Sequence, residues 1–117
     1  MVPAAMALLE LTAEQAGPGT VRLALTGELD ISSAAQLDQE LAKLEASAPP
    51  LIVLDLRTLE FMDSTGLRTV VTADARAREQ GRRLAIVRGP DAVHRVFSVT
   101  RLDERLEIID DPAAVEA

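Results

Sequence analysis

The chain has 117 residues, a net charge of −7 and 48% hydrophobic residues, and its only aromatic side chains are Phe61 and Phe97. This length predicts one domain, residues 1–117, with a core built from aliphatic side chains. The acidic charge disfavours nucleic acid and anionic membranes as partners, because both attract clustered lysine and arginine.

The first predicted element is a β-hairpin. Residues 8–15 show partial alternation of apolar and polar side chains, and residues 20–26 show it clearly. Between them, residues 16–19 have the sequence Ala-Gly-Pro-Gly, which is typical of a turn. We therefore expect two antiparallel strands.

A helix and a buried strand are predicted next. Ser33 followed by Gln36 has the spacing of a capping box, and an apolar stripe continues to a helix end near Ser47. After a pair of prolines, residues 51–56 form a nearly continuous aliphatic run, which is typical of a strand buried on both faces.

The remaining sequence predicts alternating helices and strands. A helix is expected from about Ser64 to Gln80, stopped by Gly81. The later elements are a strand at 83–88, a helix opened by Gly89-Pro90-Asp91, a strand at 106–109 and a closing helix at 112–115. The resulting order predicts an α/β fold, with a mixed sheet of four to five strands and about four packed helices.

Several features bear on location. Residues 1–9 carry no positive charge, so we expect no signal peptide. No apolar run approaches the roughly 20 residues of a membrane span. The chain has no cysteine, which excludes disulfide bonds and agrees with a cytoplasmic location.

The junction between the 51–56 strand and the following helix is the candidate functional site. Asp63, Ser64 and Thr65 are three good N-cap residues in a row, followed by Gly66. A hydroxyl at such a position lies over unpaired backbone N–H groups and the positive end of the helix dipole. This is a favourable place for a phosphate.

Three motifs carry a resemblance to a known family. Gly27-Glu28-Leu29-Asp30 leaves the hairpin, Asp55-Leu56 ends the aliphatic run, and Phe61-Met62-Asp63-Ser64-Thr65-Gly66-Leu67 opens a helix. Together with the order of elements over nearly the whole chain, they resemble a STAS domain of the bacterial anti-sigma-factor antagonist type. The resemblance implies a STAS fold.

The resemblance also implies a regulatory function without catalysis or cofactor. In the family, the serine after the aspartate, here Ser64, is phosphorylated by a partner that is both an anti-sigma factor and an ATP-dependent serine kinase. The unphosphorylated form binds this partner and frees its sigma factor, and a serine phosphatase resets the phosphorylated form. Arg68 stands where well-known members carry glycine. The implied partner-binding residues are Asp30, Asp63, Thr65, Gly66, Leu67 and Arg68.

The residues of the junction also have simpler interpretations. Ser64 has the spacing of a plain N-cap, and Asp63 is either a cap or an acidic recognition residue. Gly66 either eases the turn or leaves the backbone uncovered for a kinase to approach. Asp30 either lies beside the phosphorylated loop or merely stabilises the loop or the following helix start.

Other functions fit the sequence less well. A phosphoaspartate receiver built on Asp55 lacks the expected acidic pair and lysine, since Lys43 lies within a helix. A hydrolase using Ser64 needs a base, and His94 is the only histidine. One histidine and no cysteine leave only scattered carboxylates for a metal. The arginine-rich stretch of residues 76–83 is most simply a solvated helix end.

A closer alternative keeps the STAS fold without a phosphorylation switch. Such domains also serve as cytoplasmic parts of anion transporters or as small subunits of lipid-transport ATPases. The latter role would use the same surface for a constitutive contact with a partner.

Overall fold

The computed structural model describes residues 9–115, with side chains through residue 113. Residues 1–8, where we expect no signal peptide, lie outside this range. The strands are β1 (Leu9–Gln15), β2 (Thr20–Leu29), β3 (Leu51–Met62), β4 (Arg83–Val87) and β5 (Glu107–Ile109). The α-helices are α1 (Ala34–Glu45), α2 (Ser64–Glu79) and α3 (Asp91–Val99), and 3₁₀ turns cover Leu102–Glu104 and Pro112–Val115.

The strands form one mixed sheet in the order β1-β2-β3-β4-β5. β1 pairs antiparallel with β2, and the other neighbours are parallel. This confirms the predicted hairpin and mixed sheet. The prediction of about four helices was wrong, because the described residues contain three α-helices. Residues 112–115 form only a 3₁₀ turn, since four residues give too few hydrogen bonds to offset helix nucleation.

The main core lies between the sheet and the three helices. Ile52, Leu54 and Leu56 alternate along β3 toward this side. The helices contribute one-turn-spaced side chains that are buried in the same cluster, namely Leu37, Leu41, Val70, Ala73, Val93 and Phe97. β3 lies at the centre of the sheet, where residues 51–55 pair with both β2 and β4 and its C-terminal end pairs with β2.

β3 is longer than the sequence predicts. The aliphatic run ends at Leu56, but the strand continues to Met62 because Leu59 and Met62 return to the core. The exposed Arg57 and Thr58 resemble a loop in the sequence. They instead lie where the register of β2 against β3 shifts, as in a β-bulge.

The predicted capping box at the start of α1 is not formed. Ser33 is the N-cap residue, but its side chain makes no cap hydrogen bond. Its hydroxyl donates to the Glu28 carbonyl (2.8 Å) and accepts from the Asp30 N–H (3.0 Å). The Gln36 amide donates to the Leu9 carbonyl (3.0 Å). Neither side chain of the predicted box therefore makes its capping hydrogen bond, and the Ser33 hydroxyl instead stabilises the loop after β2.

The arginine-rich end of α2 is more than a solvated helix end. Arg76 makes a bidentate contact with Glu45 of α1, with its Nη2 2.9 Å from Oε2. Arg78 Nε lies 2.9 Å from the buried carboxylate of Asp74. The first pair joins α2 to α1, and the second, within α2, explains how Asp74 is tolerated on the packed side of the helix.

The opposite face of the sheet contains a buried carboxylate. Asp55 is 4% exposed and lies beside an apolar cluster that includes Val53 and Val87. Its oxygens accept from Arg57 Nε (3.0 Å) and Nη2 (2.7 Å). Arg22 Nε lies 3.8 Å away, which is too long for a hydrogen bond. Burial raises the pKa of Asp55, but the hydrogen bonds and charge of Arg57 outweigh it, so the net pKa is lowered.

This carboxylate predicts a pH dependence of stability. Because the pKa of Asp55 is lower in the folded state than the unfolded value of about 3.9, its contribution is fully present above about pH 5. It is lost as the pH falls through 4 toward the folded pKa. We expect Asp55→Asn to lower the free energy of unfolding by about 1–2 kcal/mol at pH 7, since Arg57 is half exposed and partly screened.

Urea unfolding of both proteins between pH 7 and pH 3 measures this difference. The difference in the free energy of unfolding between wild type and Asp55→Asn should become smaller below pH 5. The control Asp110→Asn, at an exposed position, should have the same free energy of unfolding as the wild type throughout. A gap of constant size across this range would contradict the assignment.

Candidate partner-binding site at the start of α2

The site lies where the adjacent parallel strands β2 and β3 both end. Leu29 and Met62 are paired in register at their C-terminal ends. The loop that leads to α1 and the residues that begin α2 therefore start side by side. Ser64 is the first residue of α2 and is exposed.

Asp63 joins the two loops. Its backbone is extended (φ −106°, ψ −173°), and its side chain caps α2 by accepting from the Gly66 N–H (3.0 Å). The other carboxylate oxygen accepts from the Ile31 N–H (3.3 Å), and the Asp63 N–H donates to the Leu29 carbonyl (3.2 Å). Asp63 is thus the N-cap that the sequence left undecided.

Ser64 is free of the capping role. Its hydroxyl makes no hydrogen bond with any side chain or backbone group of residues 9–113. The hydroxyl belongs to the first turn of α2, where backbone N–H groups lack helical partners. Ser64 is therefore reachable from solvent, in surroundings that favour an added negative charge.

Asp30 is fixed within the loop after β2. Its Oδ1 accepts from the Ser32 hydroxyl (2.6 Å) and the Ser32 N–H (2.9 Å), and the Ser33 hydroxyl oxygen lies 3.3 Å from it. The Ser32 hydroxyl is the main reason that the pKa of Asp30 is lowered. Asp30 therefore keeps its negative charge well below neutral pH, in a rigid position beside the start of α2.

Gly66 is buried against β2. A Cβ at this position would lie 2.7 Å from Leu29 Cγ, 2.8 Å from the Leu29 carbonyl oxygen and 3.0 Å from Met62 Cγ. This replaces both interpretations offered by the sequence. Gly66 faces the end of the sheet, so its lack of a side chain allows α2 to approach β2 closely.

The other predicted residues differ in exposure. Leu67 is buried, and its N–H donates to the Asp63 carbonyl (3.0 Å). Thr65 is half-buried, and its carbonyl accepts from the Thr69 hydroxyl (3.2 Å). Arg68 is exposed and lines a shallow groove of about 430 Å³ between α1 and α2. A partner can therefore reach the side chains of Ser64 and Arg68 most readily.

Sequence reasoning missed two exposed apolar residues at the same end of the sheet. Ile31 is 79% exposed and Phe61 is 47% exposed. Phe61 pairs in register with Glu28, and Ile31 is the residue whose N–H binds Asp63. Alternation counted from the buried Leu59 would place Phe61 on the inward face, but the register of β2 against β3 shifts between these two residues, so the sequence alone does not predict an outward Phe61.

The structure gives little support to a phosphoaspartate receiver, a serine hydrolase or a metal-binding protein. Asp55 is buried in the middle of β3 and held by Arg57, unlike an exposed acceptor at a strand end. His94 is half-buried on α3, with its ring 6.4 Å from that of Phe97, and forms no hydrogen bond with Ser64. Among residues 9–115, no cluster of three or more potential metal ligands is present. No helix in that range is sufficiently long and apolar to span a membrane.

Comparison with known proteins defines the class. Residues 12–110 match the family model described as "Mlab, STAS domain". The match covers most of the chain, so the chain belongs to the STAS-domain family. This confirms the resemblance carried by the three sequence motifs.

Individual relatives are anti-sigma-factor antagonists. The anti-sigma-F factor antagonist RsfB of Mycobacterium tuberculosis is 27% identical over 90 residues, which are 77% of this chain and 73% of RsfB. The crystal structure of an anti-sigma factor antagonist from Mycobacterium paratuberculosis superposes with a TM-score of 0.78 at 24% identity, covering 91% of this chain and 89% of that one.

The Bacillus cell fate determinant SpoIIAA, an anti-sigma factor antagonist, has the same fold. Its unphosphorylated form gives a TM-score of 0.76 at 22% identity, over 91% of this chain and 93% of that chain. Its phosphorylated form gives a TM-score of 0.70 at 20% identity, over 91% of this chain and 96% of that chain. At these identities, the likeness establishes the shared architecture.

Proposed function

We propose that this chain is an anti-sigma-factor antagonist controlled by phosphorylation of Ser64. The unphosphorylated form binds an anti-sigma factor that is also a serine kinase, and so releases the sigma factor. Phosphorylation weakens this binding, and a serine phosphatase restores it. The exposed, unbonded Ser64 hydroxyl beside a rigid acidic loop is the observation that carries the proposal. Because the kinase uses ATP and the sigma factor acts in transcription, this activity belongs to the cytoplasm.

The names of the relatives support the identity of the partner. RsfB is named as an antagonist of an anti-sigma factor. SpoIIAA, whose fold this chain shares, exists in phosphorylated and unphosphorylated forms. In this chain, Ser64 has the exposure that a kinase requires, and Asp63 directly before it already performs the capping.

The fold itself tolerates the phosphate. Phosphorylation adds about −1.5 to −2 charges and strong acceptor oxygens. At the N-terminus of a helix, a negative charge is favourable by roughly 0.3–1 kcal/mol. The cap hydrogen bond belongs to Asp63 rather than Ser64, so the modification removes no contact that begins α2.

A bound partner is affected differently. The carboxylates of Asp30 and Asp63 lie in the two loops beside Ser64, so an added phosphate makes this part of the surface more negative. A phosphate about 6 Å from a carboxylate of the docked partner costs on the order of 3 kcal/mol per charge pair at an effective dielectric near 20. This repulsion exceeds the local gain at the helix end. The modification therefore changes binding while the architecture stays the same.

The exposed apolar residues supply the attractive part of the same interface. Ile31 lies on the loop after β2 and Phe61 lies near the end of β3, on either side of the contact made by Asp63, and both leave apolar surface in water. Burying such side chains against a partner contributes roughly 25 cal/mol per Å² before the costs of association. The proposed interface thus combines apolar anchors with a chargeable residue.

A phosphorylation assay with a site-specific control tests the proposal. The protein is incubated with ATP and candidate anti-sigma factor kinases, and the peptide containing residues 64–68 is examined by mass spectrometry. We expect one phosphate on Ser64 in the wild type and none in Ser64→Ala, in which Thr65 is still present. A stable complex with a partner and no phosphate on Ser64 under any candidate kinase would favour a STAS subunit with a constitutive contact.

A further inference from the structure

Arg68 differs from the other arginines of α2. Arg76 is paired with Glu45, and Arg78 is paired with Asp74. Within the described part of the chain, Arg68 has no carboxylate within 4 Å and no side-chain hydrogen bond. It is exposed, and it stands four residues after Ser64 on the same helix.

Helix geometry directs Arg68 toward Ser64. Side chains of an α-helix tilt toward the N-terminus, so a long side chain covers the turn before its own Cα. Residues i and i+4 lie one above the other, and an acid placed N-terminal to a base at this spacing is the favourable orientation. A negative group on Ser64 would therefore lie within reach of the guanidinium of Arg68.

We propose that Arg68 binds the phosphate on Ser64 as an intrahelical ion pair. This inference rests on the proposed phosphorylation of Ser64. The planar guanidinium offers several donors to phosphate oxygens and remains charged at all physiological pH values. Phosphorylation then changes the surface in two ways, since it adds negative charge and also occupies the guanidinium that a partner's acidic residue could otherwise contact.

The charged residues around Ser64 and Arg68 determine the second pKa of the phosphate. Arg68 favours the dianion over the monoanion and so lowers the second pKa of the phosphate from its usual value near 6. Asp30 and Asp63 act in the opposite direction from the neighbouring loops. In the groove between α1 and α2, Arg68 is accompanied by Asp38, Glu45 and Arg76. Glu45 is held by Arg76, which leaves Asp38 as the competing acid.

A titration of the phosphate isolates the contribution of Arg68. Phosphoserine is incorporated at position 64 during synthesis, so the measurement needs no kinase, and the ³¹P chemical shift is followed from pH 4.5 to pH 8. We expect Arg68→Gln to raise the second pKa by about 0.2–0.4 units, as i,i+4 pairs of this kind imply. The difference should shrink at about 1 M salt, where the screening length is about 3 Å.

Two further variants make the result specific. Arg95→Gln removes an exposed helical arginine of α3 and should leave the phosphate pKa unchanged. Arg68→Lys keeps the positive charge and should restore most of the shift. Equal pKa values in wild type and Arg68→Gln would overturn the ion pair and indicate that Arg68 turns to Asp38 instead. This outcome is distinct from failure of the proposed function, which the kinase assay detects.

Discussion

Ser64→Asp is expected to bind the anti-sigma factor about a hundredfold more weakly than Ser64→Ala. The aspartate places one negative charge beside Asp30 and Asp63, where a docked partner meets all three. One additional repulsive charge pair, between the new aspartate and a carboxylate of the docked partner at about 6 Å, costs on the order of 3 kcal/mol at an effective dielectric near 20, and each 1.4 kcal/mol is about tenfold in affinity. Isothermal titration calorimetry with the purified partner measures the ratio directly.

Two apolar variants serve as controls for the location of the interface. Ile31→Ser removes an exposed apolar side chain from the proposed surface, and Val99→Ser removes one, 71% exposed, from the end of α3. We expect only the former to weaken binding. If the aspartate and alanine variants of Ser64 bind equally well, the regulatory interpretation is refuted, whatever the apolar variants do.

Gly66→Ala is expected to lower the free energy of unfolding by up to about 2 kcal/mol. Alanine is the better helix former by about 1 kcal/mol, so helix propensity alone predicts stabilisation. The added Cβ, however, would lie 2.7 Å from Leu29 Cγ and 2.8 Å from the Leu29 carbonyl oxygen. The carbonyl is backbone and cannot rotate away, so α2 must shift, at the cost of about 1–3 kcal/mol that is typical of overpacking.

A double-mutant cycle with Leu29→Ala measures how much of the cost of Gly66→Ala comes from the contact with the Leu29 side chain. Leu29→Ala alone should cost about 2–5 kcal/mol, because the side chain is fully buried. In the double variant, the cost of the alanine at position 66 should be smaller, because part of the clash has been removed. Chemical denaturation provides all four values. A more stable Gly66→Ala protein would show that α2 moves freely at this point.

The features that the sequence predicted are those with local causes. The hairpin follows from alternation around a Gly-Pro-Gly turn, and the start of α2 follows from N-cap residues that directly precede an apolar stripe. Ser64 could be placed at a helix N-terminus for this reason. The exposure of its hydroxyl depends on Asp63 taking the cap, and three consecutive good capping residues do not indicate which one does so.

The features that were missed depend on distant residues. The reason for Gly66 is Leu29, which precedes it by 37 positions in the sequence and contacts it only after β2 and β3 have paired. The capping box at Ser33 failed because the Asp30 N–H already donates to the Ser33 hydroxyl oxygen and because the Gln36 side chain binds the Leu9 carbonyl, 27 positions earlier in the sequence. β3 was predicted too short because a bulge places polar residues within a buried strand, which interrupts the aliphatic pattern.

The carboxylate of Asp63 has a mechanical consequence. One of its oxygens accepts from the Gly66 N–H in the first turn of α2, and the other accepts from the Ile31 N–H. A displacement of the loop after β2 is therefore transmitted to Asp63, the residue directly before Ser64. The proposed contact with a partner at Ile31 and the proposed phosphorylation of Ser64 are thus linked by two hydrogen bonds of one side chain.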